Sequence, residues 1–325
     1  MTANAATSAL LGTSKVIKRV REEIARLAPA RLSILLEGPT GSGKELAAEA
    51  LHAASGRDGA FVALNACAIP DEMFEDTLFG HVRGAFSGAI AEHRGYMAEA
   101  NGGTLFLDEM GGLALASQVK LLRAIETKRF RPVGARHDAS SDFRLVTAIN
   151  VPLATLLGSG AIRQDLAHRV AGAVLRMPSL RERIEDVEVL ARHFLQGERT
   201  LPDRELSKGA LDMLARHDWP GNVRELRNVV ERACALAADR RLQVQDIARA
   251  LGVERSHEPT PHSSAEFGRR QLWALLDENG WDMAVTARQL GVHRSTLWRR
   301  VQRFMAAERA ATGRKSDVGP VEVVA

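Results

Sequence analysis

The stretch SILLEGPTGSGKE, residues 33–45, decides the fold. Ser33 to Glu37 reads as a buried strand, and a helix is predicted from about Lys44 to Ala54. Between them lie Gly38, Pro39, Thr40, Gly41, Ser42, Gly43, Lys44 and Glu45. Glycines between a strand and a helix let backbone N–H groups turn inward around phosphate oxygens, and the positive helix N-terminus favours the anion. Lys44 is placed to reach the outer phosphates of a nucleoside triphosphate. The general motif ends in Ser or Thr, whose hydroxyl ligates magnesium; Glu45 stands there instead. An ordinary glycine-rich turn is the alternative at this point.

Working outward, short apolar runs recur at 61–64, 104–107 and 144–149, with helical patterns such as Gln118 to Glu126 between them. A first helix is predicted over 16–27, with Val16, Val20, Ile24 and Leu27 on one face. Strands alternating with helices indicate an α/β fold, a parallel sheet covered on both faces. After about Arg176 the pattern turns helical, over 185–195, 208–216, 223–238 and 245–251. Trp219-Pro220-Gly221-Asn222 reads as the turn that opens the third of these, with Asn222 as its N-cap. The expected domains are an α/β nucleotide-binding part (10–175), a helical lid (176–251), a polar, proline-containing linker (252–264), a small all-α domain (265–307) and a loose tail (308–325).

A chain of 325 residues suits about two domains. No apolar run approaches the roughly 20 residues that span a bilayer. The short alanine-rich start lacks the cationic region of a signal peptide, so the cytoplasm is the expected compartment. Cys67 and Cys234 are far apart and outside any CxxC pair; both are expected to be small buried side chains. The net charge of +4 says little, but Arg288, Arg294, Arg299, Arg300 and Arg303 form a basic run without a carboxylate, as an anionic partner would require.

Two further segments carry chemistry. Thr104 to Glu109 (TLFLDE) is a strand ending in two acids. Asp108 is expected to hold magnesium through water, and Glu109 to polarise the attacking water as general base. In Phe79 to Ala89 (FGHVRGAFSGA), Phe86 lies among small residues that cannot bury it, so it offers an apolar tip to a partner. The alternative is a glycine-rich turn with Phe86 tucked into the core.

This second segment resembles the GAFTGA signature loop of bacterial enhancer-binding activators of sigma-54 RNA polymerase, AAA+ ATPases. The resemblance assigns Gly84, Ala85, Phe86, Ser87, Gly88 and Ala89 to sigma-54 contact. It continues in FVALNACAIP, where Asn65 would contact and switch Glu109, and in IRQDLAHRV, which assigns Arg163 and Arg169 as arginine fingers. MPSLRERIEDV matches too, as does WPGNVRELRNVVERA, where Arg224 becomes the lid arginine. It implies ATP and Mg2+ as cofactors and a homo-oligomeric ring, usually a hexamer, because the finger comes from the adjacent subunit. Read alone, Arg163 and Arg169 would form surface ion pairs, for instance with Asp165.

Three departures stand out. Ser87 replaces the usual Thr. Ile149 replaces a Thr before Asn150, the residue expected to sense phosphate. About ten residues precede the ATPase where the family often has a long regulatory domain, so control by a domain of the same chain is not expected and a trans-acting regulator is a possible partner. The C-terminal part looks like a Fis-type helix-turn-helix. Helices are expected at 266–279, 283–290 and 293–304, with Leu272, Leu275, Leu276, Val292, Leu297 and Val301 inward. Arg294, Ser295, Thr296, Arg299 and Arg300 would face double-stranded DNA, with dimers on symmetric upstream sites. The whole implies an ATP-driven activator that remodels the sigma-54 holoenzyme. A sigma-54-independent regulator, or a remodeller of another nucleoprotein complex, are the alternatives.

Overall fold

The computed structural model describes residues 10–197, 204–252, 269–290, 297–298 and 301. They divide into two compact units, one ending at Gly252 and one beginning at Val253. In the first, α1 (Lys15–Leu27) precedes β1 (Ile34–Glu37), α2 (Lys44–Ala53) and β2 (Phe61–Asn65). Next come α3 (Phe74–Phe79), α4 (Tyr96–Glu99), β3 (Thr104–Asp108) and α5 (Leu115–Thr127). A short pair, β4 (Arg129–Phe130) and β5 (Ala139–Ser140), leads to β6 (Arg144–Ile149). Then α6 (Leu153–Gly158), α7 (Gln164–Val170) and β7 (Ala173–Arg176) complete the α/β part.

The sheet is parallel throughout, in the order β2-β3-β6-β1-β7. Its side chains alternate between two cores, as the period of two requires. Leu35, Leu105, Leu107, Leu145 and Ile149 pack on one face with residues of α5 and α7. Ile34, Leu36, Phe106, Val146 and Ala148 pack on the other, with α1 and α2. Ile149 is thus a core residue on the α5 side. Because the strands are parallel, all their carboxyl ends share one edge, where open α/β sheets bind ligands. The sheet order sets β6 between β1 and β3, so Asn150 emerges between the glycine loop and the acidic pair.

The lid follows: α8 (Val187–Gly197), β8 (Glu205–Leu206), α9 (Lys208–Arg216), α10 (Asn222–Leu236), β9 (Arg241–Leu242) and α11 (Val244–Leu251). Its own core centres on Trp219, 1% exposed, whose indole N–H donates to the Leu214 carbonyl at 2.9 Å. The four expected lid helices are present within about two residues at each end, the usual scatter of boundaries.

Several expectations need correction. The strand β7 gave no sequence signal, because only Leu175 of its four residues is buried. The parallel two-residue pair β8·β9, its strands separated by α9 and α10, gave no local signal either. On α1 the buried face runs through Ile17, Val20 and Ile24, while Val16 points outward. Cys234 is buried as expected, but Cys67 is exposed.

Asn222 is not an N-cap. Gly221 holds that position without a side-chain cap, and the Gly41 carbonyl accepts from Val223 N at 3.0 Å and Arg224 N at 3.4 Å. The glycine loop itself therefore caps α10. Asn222, left-handed at φ 55° and 3% exposed, accepts from Leu180 N at 2.8 Å and donates to the Thr40 carbonyl at 2.9 Å.

The second unit contains α12 (Arg269–Glu278) and α13 (Met283–Gln289), with Asp282 accepting from Val285 N at 3.0 Å at the start of α13. Leu272, Leu276, Ala287, Leu290, Leu297 and Val301 form its core, with Leu275 partly buried. The expected DNA-facing residues Arg294, Ser295, Thr296, Arg299 and Arg300, like Val292 and most of the linker and tail, lie outside the described residues.

Candidate functional site

A cleft of about 350 Å³ lies where the sheet's carboxyl edge meets the lid. Thr40, Gly41, Ser42, Gly43, Lys44 and Glu45 form its floor, Asp108 and Glu109 one side, and Arg224 the lid side. Gly41 is required twice. Its φ of 76° is left-handed, and a Cβ there would lie 2.4 Å from the Gly221 carbonyl oxygen. The fold joins loop and lid at this residue. Gly38 and Pro39 do not line the cleft; their carbonyls accept from Lys44 Nζ at 2.8 and 3.2 Å.

Burial lowers the Lys44 pKa, while the Asp108 and Glu109 charges, in that order, oppose the fall and Arg224 adds to it. Lysine, two carboxylates and arginine therefore share one electrostatic neighbourhood.

The acidic pair is shaped by its backbone. Glu109 is left-handed (φ 54°), sparsely populated for a residue with a Cβ. Asp108 Oδ1 accepts the Glu109 N–H at 2.9 Å. The β2·β3 register sets Asn65 beside Asp108, and Asn65 Nδ2 donates to Glu109 Oε2 at 3.3 Å. Cys67 donates through Sγ to the Glu109 carbonyl at 3.3 Å. Partial desolvation of the sulfur against its neighbours first, then the Glu109 charge, push the Cys67 thiol up although the residue is exposed, which keeps it a donor.

Other site residues lie elsewhere. Asn150 is exposed beyond β6 and does not line the cleft. Arg163 immediately precedes α7 and Arg169 lies in its last turn; both are exposed, and neither lines the chain's own cleft. Arg163 pairs with Asp165 at 2.6 Å, the ion pair considered above, and Arg169 donates to the Ile125 carbonyl at 3.5 Å.

The Phe86 segment is a closed projection. Gly84 N donates to the Ala89 carbonyl at 2.8 Å and Ala89 N to the Phe86 carbonyl at 3.0 Å. At its base His81 and His93 exchange backbone bonds, and Val133 N donates to the Gly80 carbonyl at 2.8 Å. The His81 ring bonds Asp76 and the Ala91 carbonyl, and meets the Phe86 ring edge-on at 5.0 Å between centroids. Phe86 remains 46% exposed, Ser87 and Gly88 are exposed, and Ala89 is buried. Ile90, one residue beyond Ala89, is also apolar and 83% exposed.

Sequence reasoning also missed part of the cleft. Leu10, Leu11, Leu190 and Phe194 supply apolar wall, and Arg183 lines it while 3% exposed. Arg183 donates to the Ser42 carbonyl at 2.9 Å. Nearby Asp186, fully buried, accepts from Thr13 N, Ser14 N and Ser14 Oγ at 2.6–2.8 Å. The segment Arg181–Asp186 therefore clamps the chain's start against the glycine loop. Partners more than 140 residues apart leave no local signal.

The added strand between β1 and β3, the glycine loop, the acidic pair and the helical lid define a P-loop ATPase of the AAA+ kind. Residues 10–176 match the sigma-54 interaction domain family, 181–264 an AAA+ ATPase lid domain, and 265–304 the Fis family of bacterial regulatory proteins. The transcriptional regulatory protein ZraR of Salmonella typhimurium is 41% identical over 313 residues, covering 93% of this chain and 70% of that one. The response regulator protein PilR of Pseudomonas aeruginosa is 38% identical, covering 87% and 66%. The crystal structure of NtrX from Brucella abortus in complex with ATP aligns at a TM-score of 0.67 and 32% identity, covering 90% and 68%. The chain belongs to the sigma-54-dependent transcriptional activators: an ATPase with a sigma-54 interaction domain and a DNA-binding helix-turn-helix.

Proposed function

We propose that ATP turnover in this cleft drives the Phe86 projection against sigma-54 and so remodels the closed polymerase complex. One observation carries the reading: the water-facing end of the site and the projection are joined by one short segment. Asn65 bonds Glu109, and the chain runs from it through α3 directly into the Phe86 loop. A change at the γ-phosphate that alters the Asn65–Glu109 contact is therefore transmitted to the loop stem.

In this reading, backbone N–H groups from Gly41 to Lys44 cradle the phosphates and Lys44 neutralises the outer ones. Glu109 accepts a proton from the attacking water, oriented by Asn65. Asn150 senses the γ-phosphate from the end of β6, and Arg224 closes from the lid. The donor set suits magnesium: Asp108 is a hard carboxylate beside the phosphate loop, and the ion typically takes one or two carboxylates plus phosphates and waters. It would neutralise charge on the phosphates.

Arg163 and Arg169 complete the site of a neighbouring subunit, which makes hydrolysis depend on a ring, taken as a hexamer. Their exposure away from the chain's own cleft supports this. The helix-turn-helix holds dimers on upstream DNA through Arg294, Ser295, Thr296, Arg299 and Arg300, in the cytoplasm. The domain limits are those expected above, with the lid running from residue 176 to 251.

The test is Phe86→Ala: ATP turnover stays near the parent rate while sigma-54-dependent open-complex formation is lost. Surviving activation would remove Phe86 from the contact.

A further inference from the structure

We infer that Gln118 is a positioning residue that ties the acidic pair of one subunit's site to the arginine it offers to the next. This rests on the proposal that Arg163 acts in trans. Gln118 lies on α5 with no exposed surface, yet it is polar. A buried amide is tolerated only where its hydrogen-bonding groups are met. Its Nε2 donates to the Leu113 carbonyl at 2.9 Å and to the Ala161 carbonyl at 2.7 Å. Its Oε1 accepts the Arg163 N–H at 2.9 Å.

These partners come from two different segments. Leu113 closes the turn that follows Glu109: Gly112 N donates to the Glu109 carbonyl at 3.0 Å and Leu113 N to the Met110 carbonyl at 3.2 Å. Ala161 and Arg163 belong to the loop that opens α7, and Arg163 is the residue just before that helix. Gln118 therefore fixes the backbone from which the Arg163 side chain projects, and fixes it relative to Glu109. Both N–H groups of the amide are used, so no shorter or apolar side chain can hold both segments. The bonds fix backbone position and leave the guanidinium free to exchange Asp165 for a phosphate oxygen across the subunit boundary.

Two variants test this, Gln118→Leu, close in volume, and Gln118→Asn, which shortens the reach. Each should bind ATP as the parent does in a titration. Each should lose turnover by about 100-fold, because a shift of ~1 Å in a catalytic group costs on that order. The decisive readout is subunit mixing. A Glu109→Gln chain cannot hydrolyse but keeps its own Gln118 and Arg163. Mixed with Gln118→Leu over a range of ratios, it should supply the arginine and recover turnover in the Gln118→Leu sites. Arg163→Ala mixed with Glu109→Gln is the control.

If Arg163→Ala is rescued and Gln118→Leu is not, the inference falls, since the defect then lies in the variant's own site. Parent-like turnover in both Gln118 variants also overturns it. So does failure of both to bind ATP, which would make Gln118 a support of the fold. If Arg163→Ala itself is not rescued, the trans reading of Arg163 fails instead, and this inference with it.

Discussion

Replacing Asn222 with alanine should destabilise the ATPase unit by about 3 kcal/mol, a value assembled from its contacts. The side chain is 3% exposed and receives Leu180 N at 2.8 Å, a bond buried on both sides. Orphaning a buried N–H costs about 1–3 kcal/mol. The Thr40 carbonyl, bonded at 2.9 Å, is only partly buried, so water recovers much of its loss. The backbone adds about 1 kcal/mol, because Asn222 sits at φ 55°, where asparagine is tolerated and alanine is not. Asn222→Gly removes the same hydrogen bonds without that strain and should be about 1 kcal/mol less destabilised than Asn222→Ala. Denaturant unfolding of both variants, followed by circular dichroism, measures the two differences. ATP titration should show weaker binding in both, since Asn222 ties the lid to the glycine loop. An alanine variant within about 0.5 kcal/mol of the parent, the scale of an ordinary surface change, would refute the clamp. Equal stability of the alanine and glycine variants would refute the backbone part.

Other outcomes follow from the same geometry. Glu109→Gln should bind ATP and lose hydrolysis by about 100-fold or more, the typical contribution of a general base, in a phosphate-release assay; near-normal turnover removes Glu109 from that role. Burial pushes Lys128 down to about 8 from the ordinary 10.5, against the opposing Asp142 charge. The unfolded chain therefore holds a proton that the folded one has released, and stability rises as pH climbs from about 8 to about 10.5. Lys128→Met should abolish that rise in denaturant midpoints measured across the window, and parallel curves for parent and variant would count against it. Deleting residues 253–325 should spare hydrolysis and abolish site-specific DNA binding in a shift assay; unchanged affinity would contradict the division of labour.

What was legible in the sequence is the part where chemistry fixes local spacing. A strand, a glycine loop and a lysine must be contiguous to hold phosphates, and Asp108-Glu109 must end a strand to face them. The apolar periods of the lid helices were equally local. What the sequence hid depends on distant partners. Asn222 looked like a helix cap because asparagine before a helix usually is one, but the carbonyl that caps α10 comes from Gly41, 182 residues before Val223. Cys67 looked like core because nothing local shows that the chain turns outward beside Glu109. Gln118 marked only the start of a helical pattern, and only the fold brings Leu113 and Ala161 to it. Ile90 was passed over because the Phe86 motif ends one residue earlier.

The measurement that bears most directly on the account is promoter strand opening by purified protein with sigma-54 holoenzyme, read by a single-strand-specific chemical probe. The account predicts opening that requires hydrolysable ATP, is lost with Glu109→Gln, and is lost with Phe86→Ala although that variant still turns over ATP. Opening that proceeds without nucleotide, or that Phe86→Ala supports at the parent rate, would contradict it.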